Sequence, residues 1–387
     1  MMTPTLTRGR RSRAFYWDPW LAGLVLSLMA IGLVTVTSAS IPLAEERFGD
    51  PLHYAKRQTV YLILGLIGLW LVSRIPLTRF QQRPRMLLGG AFALLTMVLI
   101  PGVGTEINGS TRWIDLMLFH LQVSEPAKLL VVLFLAAYLA RHQEYLPSST
   151  RLAINPLITL LAICCLLLLE PDLGTSVILM TVGLILLFLA GLNRVAVLAT
   201  GAVAMAVLAG LIVSAPYRVE RWFAFLDPWA HVYDSSYQLV QSLIAIGNGG
   251  VSGQGIGGSV MKLAYLPEAH TDFIFAVFAE ETGMIGSLLL ITLYWGLLLR
   301  ALQVGRIAIE RQRPFAAYTA YGIGLLLGTQ AFINIAVNLG VLPTKGLTLP
   351  LVSYGGSSLV VTCLGLGLLF RIAHENRCRD AIPRGNP

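Results

Sequence analysis

The chain has 387 residues, 56% of them hydrophobic, and only 12% are charged, about half the roughly 25% of an average soluble domain. A soluble fold of this size would have too little polar surface to stay dissolved, which excludes a cytosolic enzyme, a disordered chain and a disulfide-stapled secreted module. The 28 Lys+Arg against 20 Asp+Glu give a net charge of +8, an excess that in a membrane chain gathers at the cytoplasmic face.

In chain order, uncharged or nearly uncharged stretches run 19–44, 58–73, 86–105, 116–140, 152–169, 173–193, 195–217, 273–299, 314–344 and 346–370. Most hold the roughly 20 apolar residues that cross about 30 Å of hydrocarbon. The 116–140 stretch carries Glu125 and Lys128, and 273–299 carries Glu280 and Glu281. The 58–73 run is short and borrows from its flanks. The expectation is an all-α polytopic membrane protein of ten spans forming one integral domain. Its cytoplasmic tails are 1–18 and 374–387, and one large extracytoplasmic loop, 215–270, separates spans seven and eight. With the N-terminus inside, nineteen of the basic residues fall in inside segments and eight in outside loops, which places both termini in the cytoplasm. The first span reads as an uncleaved signal anchor, because its apolar run exceeds a signal-peptide core and nine more spans follow. No internal repeat is visible.

Within the long loop, Tyr237–Ile246 has helical apolar spacing and is expected to lie along the membrane surface. The following GNGGVSGQGIGG at 247–258 contains G-x-G-x-G, but it follows no strand and lies outside the cell. Tight turns over an active-site mouth are the better reading than a phosphate cradle. None of the six histidines or four cysteines falls in a metal-ligating pattern.

The densest polar constellation is LPEAHTDFIFAVFAEETGMIG at 266–286. Thr271 or Asp272 can cap the eighth span, yet capping explains one acid, not Glu268, Asp272, Glu280 and Glu281 together. A carboxylate at membrane depth is costly unless paired or hydrated, so Asp272 is a functional candidate. Glu280 and Glu281 point about 100° apart on a helix, and at least one is expected to pair with a basic group. In NGSTRWIDLMLFHLQVSEPAK, 108–128, Glu125 and Lys128 fall at i, i+3 and can neutralise each other; Arg112 lies in a short outer loop, outside that pair. Glu170-Pro171-Asp172 reads as a tight outer turn. LPTKGLTLPLVSYGGSS at 342–358 reads as irregular backbone lining a cavity. The outer cations, among them Arg221 and Lys345, suit a substrate that carries a diphosphate leaving group.

These strings resemble the SEDS family (shape, elongation, division and sporulation), membrane peptidoglycan glycosyltransferases that include RodA and FtsW. The resemblance covers nearly the whole chain, rests most on LPEAHTDFIFA and LPTKGLTLPLVSYGGSS, and is nearer the division members. NGSTRWIDL, EPDLGT (170–175) and DPWAHVYDSSYQLVQS (227–242) support it. Val123 and Thr282 depart from the family's usual Pro and Leu, which concerns helix packing rather than Asp272. The resemblance implies polymerisation of lipid II into glycan strands outside the membrane, with release of undecaprenyl diphosphate. By it, Asp272 is the general base on the acceptor hydroxyl in an inverting displacement. Arg112, Lys128 and Lys262 are candidates to hold the diphosphate or shape the cavity, with Glu268 and Ser353 as further lining. It also implies a cognate class B penicillin-binding protein and other divisome proteins as partners, a septal site in the bacterial inner membrane, and room for a divalent cation (Mg2+ or Mn2+) without proving one. Two other readings stay open: a lipid II flippase, and a non-catalytic scaffold in which Asp272 is merely a cap.

Overall fold

The computed structural model describes residues 15–107, 110–115, 120–146, 150–213, 219, 225–232, 236–263 and 265–380. Most of the N-terminal tail, Arg218, Glu220, Arg221, Trp222, Asp234 and the last seven residues of the C-terminal tail lie outside the described residues.

Among the described residues, twelve α-helices and a small sheet follow one another, with one 3-10 turn at Pro228–His231. They are α1 (Pro19–Phe48), α2 (His53–Arg74), the short α3 (Thr78–Gln81), α4 (Pro84–Val98), strands β1 (Thr105–Ile107), β2 (Ser110–Asp115) and β3 (His120–Gln122), then α5 (Ser124–His142), α6 (Thr150–Leu169), α7 (Leu173–Leu189), α8 (Arg194–Val213), α9 (Tyr237–Gly249), α10 (Ile274–Glu310), α11 (Pro314–Asn338) and α12 (Gly356–Asp380). A helix stands at each of the ten expected stretches. Five of them, α1, α2, α10, α11 and α12, are long and apolar enough to cross a membrane by length and composition.

The boundaries differ from expectation in instructive ways. α2 begins at His53, taking in its polar flank as expected. The 116–140 stretch does not begin as helix: His120–Gln122 is an edge strand of an antiparallel sheet ordered β1-β2-β3, paired through Trp113↔Gln122 and Asp115↔His120. Ser110–Asp115 is only partly buried, with Ser110 and Ile114 the buried positions; it is a strand by its pairing with both neighbours rather than by any alternation. α10 continues well past Leu299 to Glu310, 37 residues in all. The unbroken part after Gly283 alone is about 40 Å of helix, longer than the hydrocarbon core. α12 starts ten residues later than the apolar run, because 346–355 is irregular.

Close packing between helices is made by small residues, as expected where lipid supplies no hydrophobic drive. A Cβ at Gly65 in α2 would lie 2.8 Å from Cys363 Sγ in α12, and one at Gly367 in α12 would lie 2.6 Å from the Leu69 carbonyl in α2.

The two ends of the bundle are chemically distinct. At one end Arg300 pairs with Asp18, the N-cap of α1, and Arg313 pairs with Glu375. At the other end lie the sheet, the Glu170–Asp172 turn and the loop 339–355.

The glycine-rich segment has a specific task. α10 is broken at Gly283, whose φ of 68° and ψ of −165° are not helical. The segment docks on that break: Gln254 and Gly255 N–H donate to the carbonyls of Glu280 and Glu281, and Met284 and Ile285 N–H donate to Gly250 and Val251. Backbone groups freed by the break are thus satisfied inside the protein. The expected turns are present, and they brace α10. Gly253 (φ 80°) and Gly283 (φ 68°) both occupy the left-handed region with another chain segment's backbone against their Cα. Replacing either with Ala is expected to lower stability by about 1–3 kcal/mol, read as a drop in melting temperature of the purified protein.

Candidate functional site

The approach to α10 is a series of turns, Leu266–Phe273, held by its own side chains. Glu268 adopts φ 55°, and Thr271 Oγ1 donates to its Oε2 at 2.6 Å. His270 is buried; its carbonyl accepts from Tyr354 N–H at 3.0 Å, and its ring packs on Tyr54 (4.7 Å between centroids) and Tyr354 (5.6 Å). Asp272 follows, one residue before the N-cap.

Asp272 does not cap the helix. The N-cap of α10 is Phe273, without a side-chain hydrogen bond, and the Ala276 N–H is met instead by Asn338 Oδ1 at 3.2 Å. Among the described residues, none hydrogen-bonds or ion-pairs with the Asp272 carboxylate, which is half-buried. Its Oδ2 lies beside Gly346, where a Cβ would sit 2.8 Å away. Loss of water to surrounding protein raises its pKa to about 7, with the Glu268 charge adding to the rise and the Arg112 guanidinium opposing it.

Around this carboxylate several connecting segments converge. Gly174, at the start of α7, abuts the side chain of Leu347. Gln122 N–H donates to Ser357 Oγ at 3.3 Å. Asp172 caps α7, accepting from Thr175 N–H at 3.1 Å and Thr175 Oγ1 at 2.8 Å, and lies 3.7 Å from Arg112. Arg112 also donates from Nε to Ser110 Oγ at 2.9 Å, and its side chain keeps about a quarter of its surface open. Glu170 is fully buried, and neither carboxyl oxygen has a hydrogen-bond partner among the described residues. Burial raises its pKa to about 8, with the Asp172 charge adding to the rise and Arg112 opposing it.

The expected cations do not gather as a set. Lys128 is 1% exposed and donates to Glu125 Oε1 and Gln330 Oε1, both at 2.8 Å. Gln330 in turn donates to the Thr348 carbonyl at 2.9 Å, so this pair braces the loop. Lys262 donates to Glu281 Oε1 (3.0 Å), Ser38 Oγ (2.9 Å) and the Gly257 carbonyl (2.7 Å). Glu280 accepts from Ser259 Oγ and from the N–H groups of Val260 and Met261. The physical reason is common to all: an ionised group at this depth must be paired and hydrogen-bonded. Ser353 is buried within the loop, its hydroxyl accepting from Leu349 N–H at 2.7 Å. Of the six expected site residues, Asp272, Glu268 and Arg112 share one electrostatic neighbourhood; Lys128, Lys262 and Ser353 are committed to structure. No group of three or more metal-ligating side chains converges among the described residues.

Sequence reading missed Gly346, Gln330, Asn334 and Asn338. The last three recur every fourth residue in an apolar span, a polar stripe down one helix face; that spacing was the available signal. Nothing local marks Gly346, whose role comes from a contact across the fold.

The chain matches the family of cell cycle proteins FtsW, RodA and SpoVE over residues 19–378. It belongs to that family. Among relatives, it is 52% identical over 353 residues to the probable peptidoglycan glycosyltransferase FtsW of Thioalkalivibrio sulfidiphilus, covering 91% of this chain and 88% of the relative. It is 48% identical over 361 residues to the protein of the same name from Legionella pneumophila, covering 93% and 92%. Two solved structures share the fold. One is a peptidoglycan synthase complex that coordinates polymerization and crosslinking (TM-score 0.75, 32% identity, 94% of this chain and 99% of that one). The other is the rod shape determining protein RodA of Thermus thermophilus (TM-score 0.68, 31% identity, 93% and 97%).

Two outcomes are expected from this geometry. Gly346→Ala places a methyl on the Asp272 carboxylate and, since displacement near 1 Å at a reacting group costs about a hundredfold, should cut turnover at least about tenfold without unfolding the protein. Glu170 holds its proton in the folded state up to about pH 8, whereas the unfolded chain releases it at its ordinary carboxyl value. Stability therefore falls as pH rises through that window. Glu170→Gln keeps the shape without the titration, so its melting temperature should gain on the wild type between about pH 5 and pH 8.

Proposed function

We propose that this chain is the division-type peptidoglycan glycosyltransferase of its bacterium, polymerising lipid II on the outer face of the cytoplasmic membrane with release of undecaprenyl diphosphate. The observation that carries the reading is that the half-buried Asp272 carboxylate has no partner among the described residues, where every buried acid but Glu170 is paired or capping. The names of the FtsW relatives supply the activity.

In this reading all ten stretches span the membrane, both termini are cytoplasmic, and the end carrying Asp272 faces outward. Asp272 takes the proton of the acceptor sugar's 4-hydroxyl as that oxygen bonds to the donor's anomeric carbon. The bond from that carbon to the diphosphate oxygen breaks, the diphosphate departs with the electron pair, and configuration inverts. Arg112, open on one side, meets the developing charge. Lys128 and Lys262 shape the cavity through their ion pairs. No cluster of metal-ligating side chains stands ready among the described residues, so a Mg2+ or Mn2+ ion would have to arrive with the diphosphate, whose departing charge it would offset. A class B penicillin-binding protein cross-links the product strand, and the protein works at the septum with other divisome proteins.

The scaffold alternative needs Asp272 as a cap, and the cap is Phe273. The flippase alternative needs charge along a path to the inner leaflet, and Glu125 and Lys128 neutralise each other.

The test is polymerisation of labelled lipid II by purified protein with its penicillin-binding partner. Asp272→Ala should abolish polymer while leaving the melting temperature unchanged; normal polymerisation by that variant removes the base assignment, and lipid II transport without polymer by the wild type selects the flippase. A base with a pKa of about 7 is protonated and idle below that value. The rate should accordingly climb about tenfold per pH unit below 7 and level off above it.

A further inference from the structure

We infer that Asn334 and Asn338, on successive turns of α11, are positioning residues that hold the main chain of Asp272 and thereby aim its carboxylate. The inference rests on Asp272 being the base.

The observation is a double clamp on one carbonyl. Asn334 Nδ2 donates to the Asp272 oxygen at 2.9 Å and Asn338 Nδ2 donates to the same oxygen at 3.1 Å. Both asparagines are buried, at 2% and 0% exposed. Chemistry fixes the orientation of each amide, since a backbone carbonyl accepts only from an N–H and a backbone N–H needs an oxygen. Asn338 Oδ1 accepts from Ala276 N–H at 3.2 Å, capping from outside a helix that lacks a side-chain cap of its own. Its second amide hydrogen goes to the Asn334 carbonyl at 2.9 Å, and its own carbonyl accepts from Ser242 Oγ at 2.9 Å.

Asn334 also donates to the Leu347 carbonyl, next to the glycine against which the Asp272 carboxylate rests. One side chain therefore fixes both the backbone that carries the carboxylate and the loop that bounds it. Neither asparagine reaches the carboxylate oxygens, so each acts through Asp272. The general requirement is that a reacting group be held by neighbours whose own positions are locked by packing and hydrogen bonds. Here the lock is α11.

The experiment measures lipid II polymerisation with the partner protein for Asn334→Ala, Asn338→Ala and Asp272→Ala, separating kcat from KM, with melting temperatures alongside. Asn376→Ala is the control. Asn376 is a buried asparagine at the opposite end of the bundle, whose Nδ2 donates to the Val304 carbonyl at 2.9 Å, and its loss should lower the melting temperature while sparing kcat. Each clamp variant should lose at least about tenfold in kcat with KM changed less than about threefold, since a displaced base spoils reaction more than binding. Should an alanine variant not fold, Asn334→Ser or Asn338→Ser, which keeps one donor, takes its place and should retain part of the rate. Wild-type kcat in both clamp variants while Asp272→Ala is dead overturns this inference alone. A fall in kcat no larger than that of Asn376→Ala at equal loss of melting temperature also overturns it, because the role is then only structural. An active Asp272→Ala instead overturns the base reading beneath it.

Discussion

Two amide donors on a single main-chain oxygen fix the backbone that carries Asp272. A carboxylate with no partner is tolerated at a membrane edge only where its backbone cannot swing it into lipid or onto a neighbouring cation. The Asp272 carbonyl takes both its hydrogen bonds from α11, and the same helix reaches the loop beyond it through Leu347. Were this stretch loose, Asp272 would be free to swing towards a cation such as Arg112, whose charge already acts on it. The clamp keeps an acid without a hydrogen-bonding partner among the described residues in place.

The ion pairs of the interior have a complementary task. Lys128 pairs with Glu125 and Lys262 with Glu281, which commits both cations to bracing. Gln330 carries that bracing from Lys128 to Thr348, so the loop 339–355 is fixed from beneath. Arg112 is the exception: its contacts with Asp172 and Ser110 leave part of the guanidinium open. A substrate bringing negative charge would meet an arginine already oriented, with little side-chain freedom left to lose.

Much of this was legible in the sequence because hydropathy and charge act locally. Ten apolar runs are ten helices, the i, i+3 spacing of Glu125 and Lys128 is an ion pair, and the excess of acids after Leu266 marks the site. What escaped is non-local. Arg112 reads as a loop residue, yet it sits on a strand whose partners must be known before the sheet is seen. Lys262 reads as an outer cation because its partner, Glu281, lies nineteen residues on, in a helix whose approach to Lys262 no local pattern announces. Gly346 carries no local signal. Asn334 and Asn338 did carry one, but polar residues in a span are ambiguous until the carbonyl they meet is known.

The docked glycines reverse a habit of interpretation. A run such as GNGGVSGQGIGG has the composition of a slack tether, the kind of sequence chosen to join domains because it holds no shape. Here four backbone hydrogen bonds seat it on α10, and at Gly249 and Gly253 no side chain fits at all. Lengthening or randomising it as if it were a spacer would unseat the helix that begins beside Asp272; the stretch that looks most expendable is a fitted part.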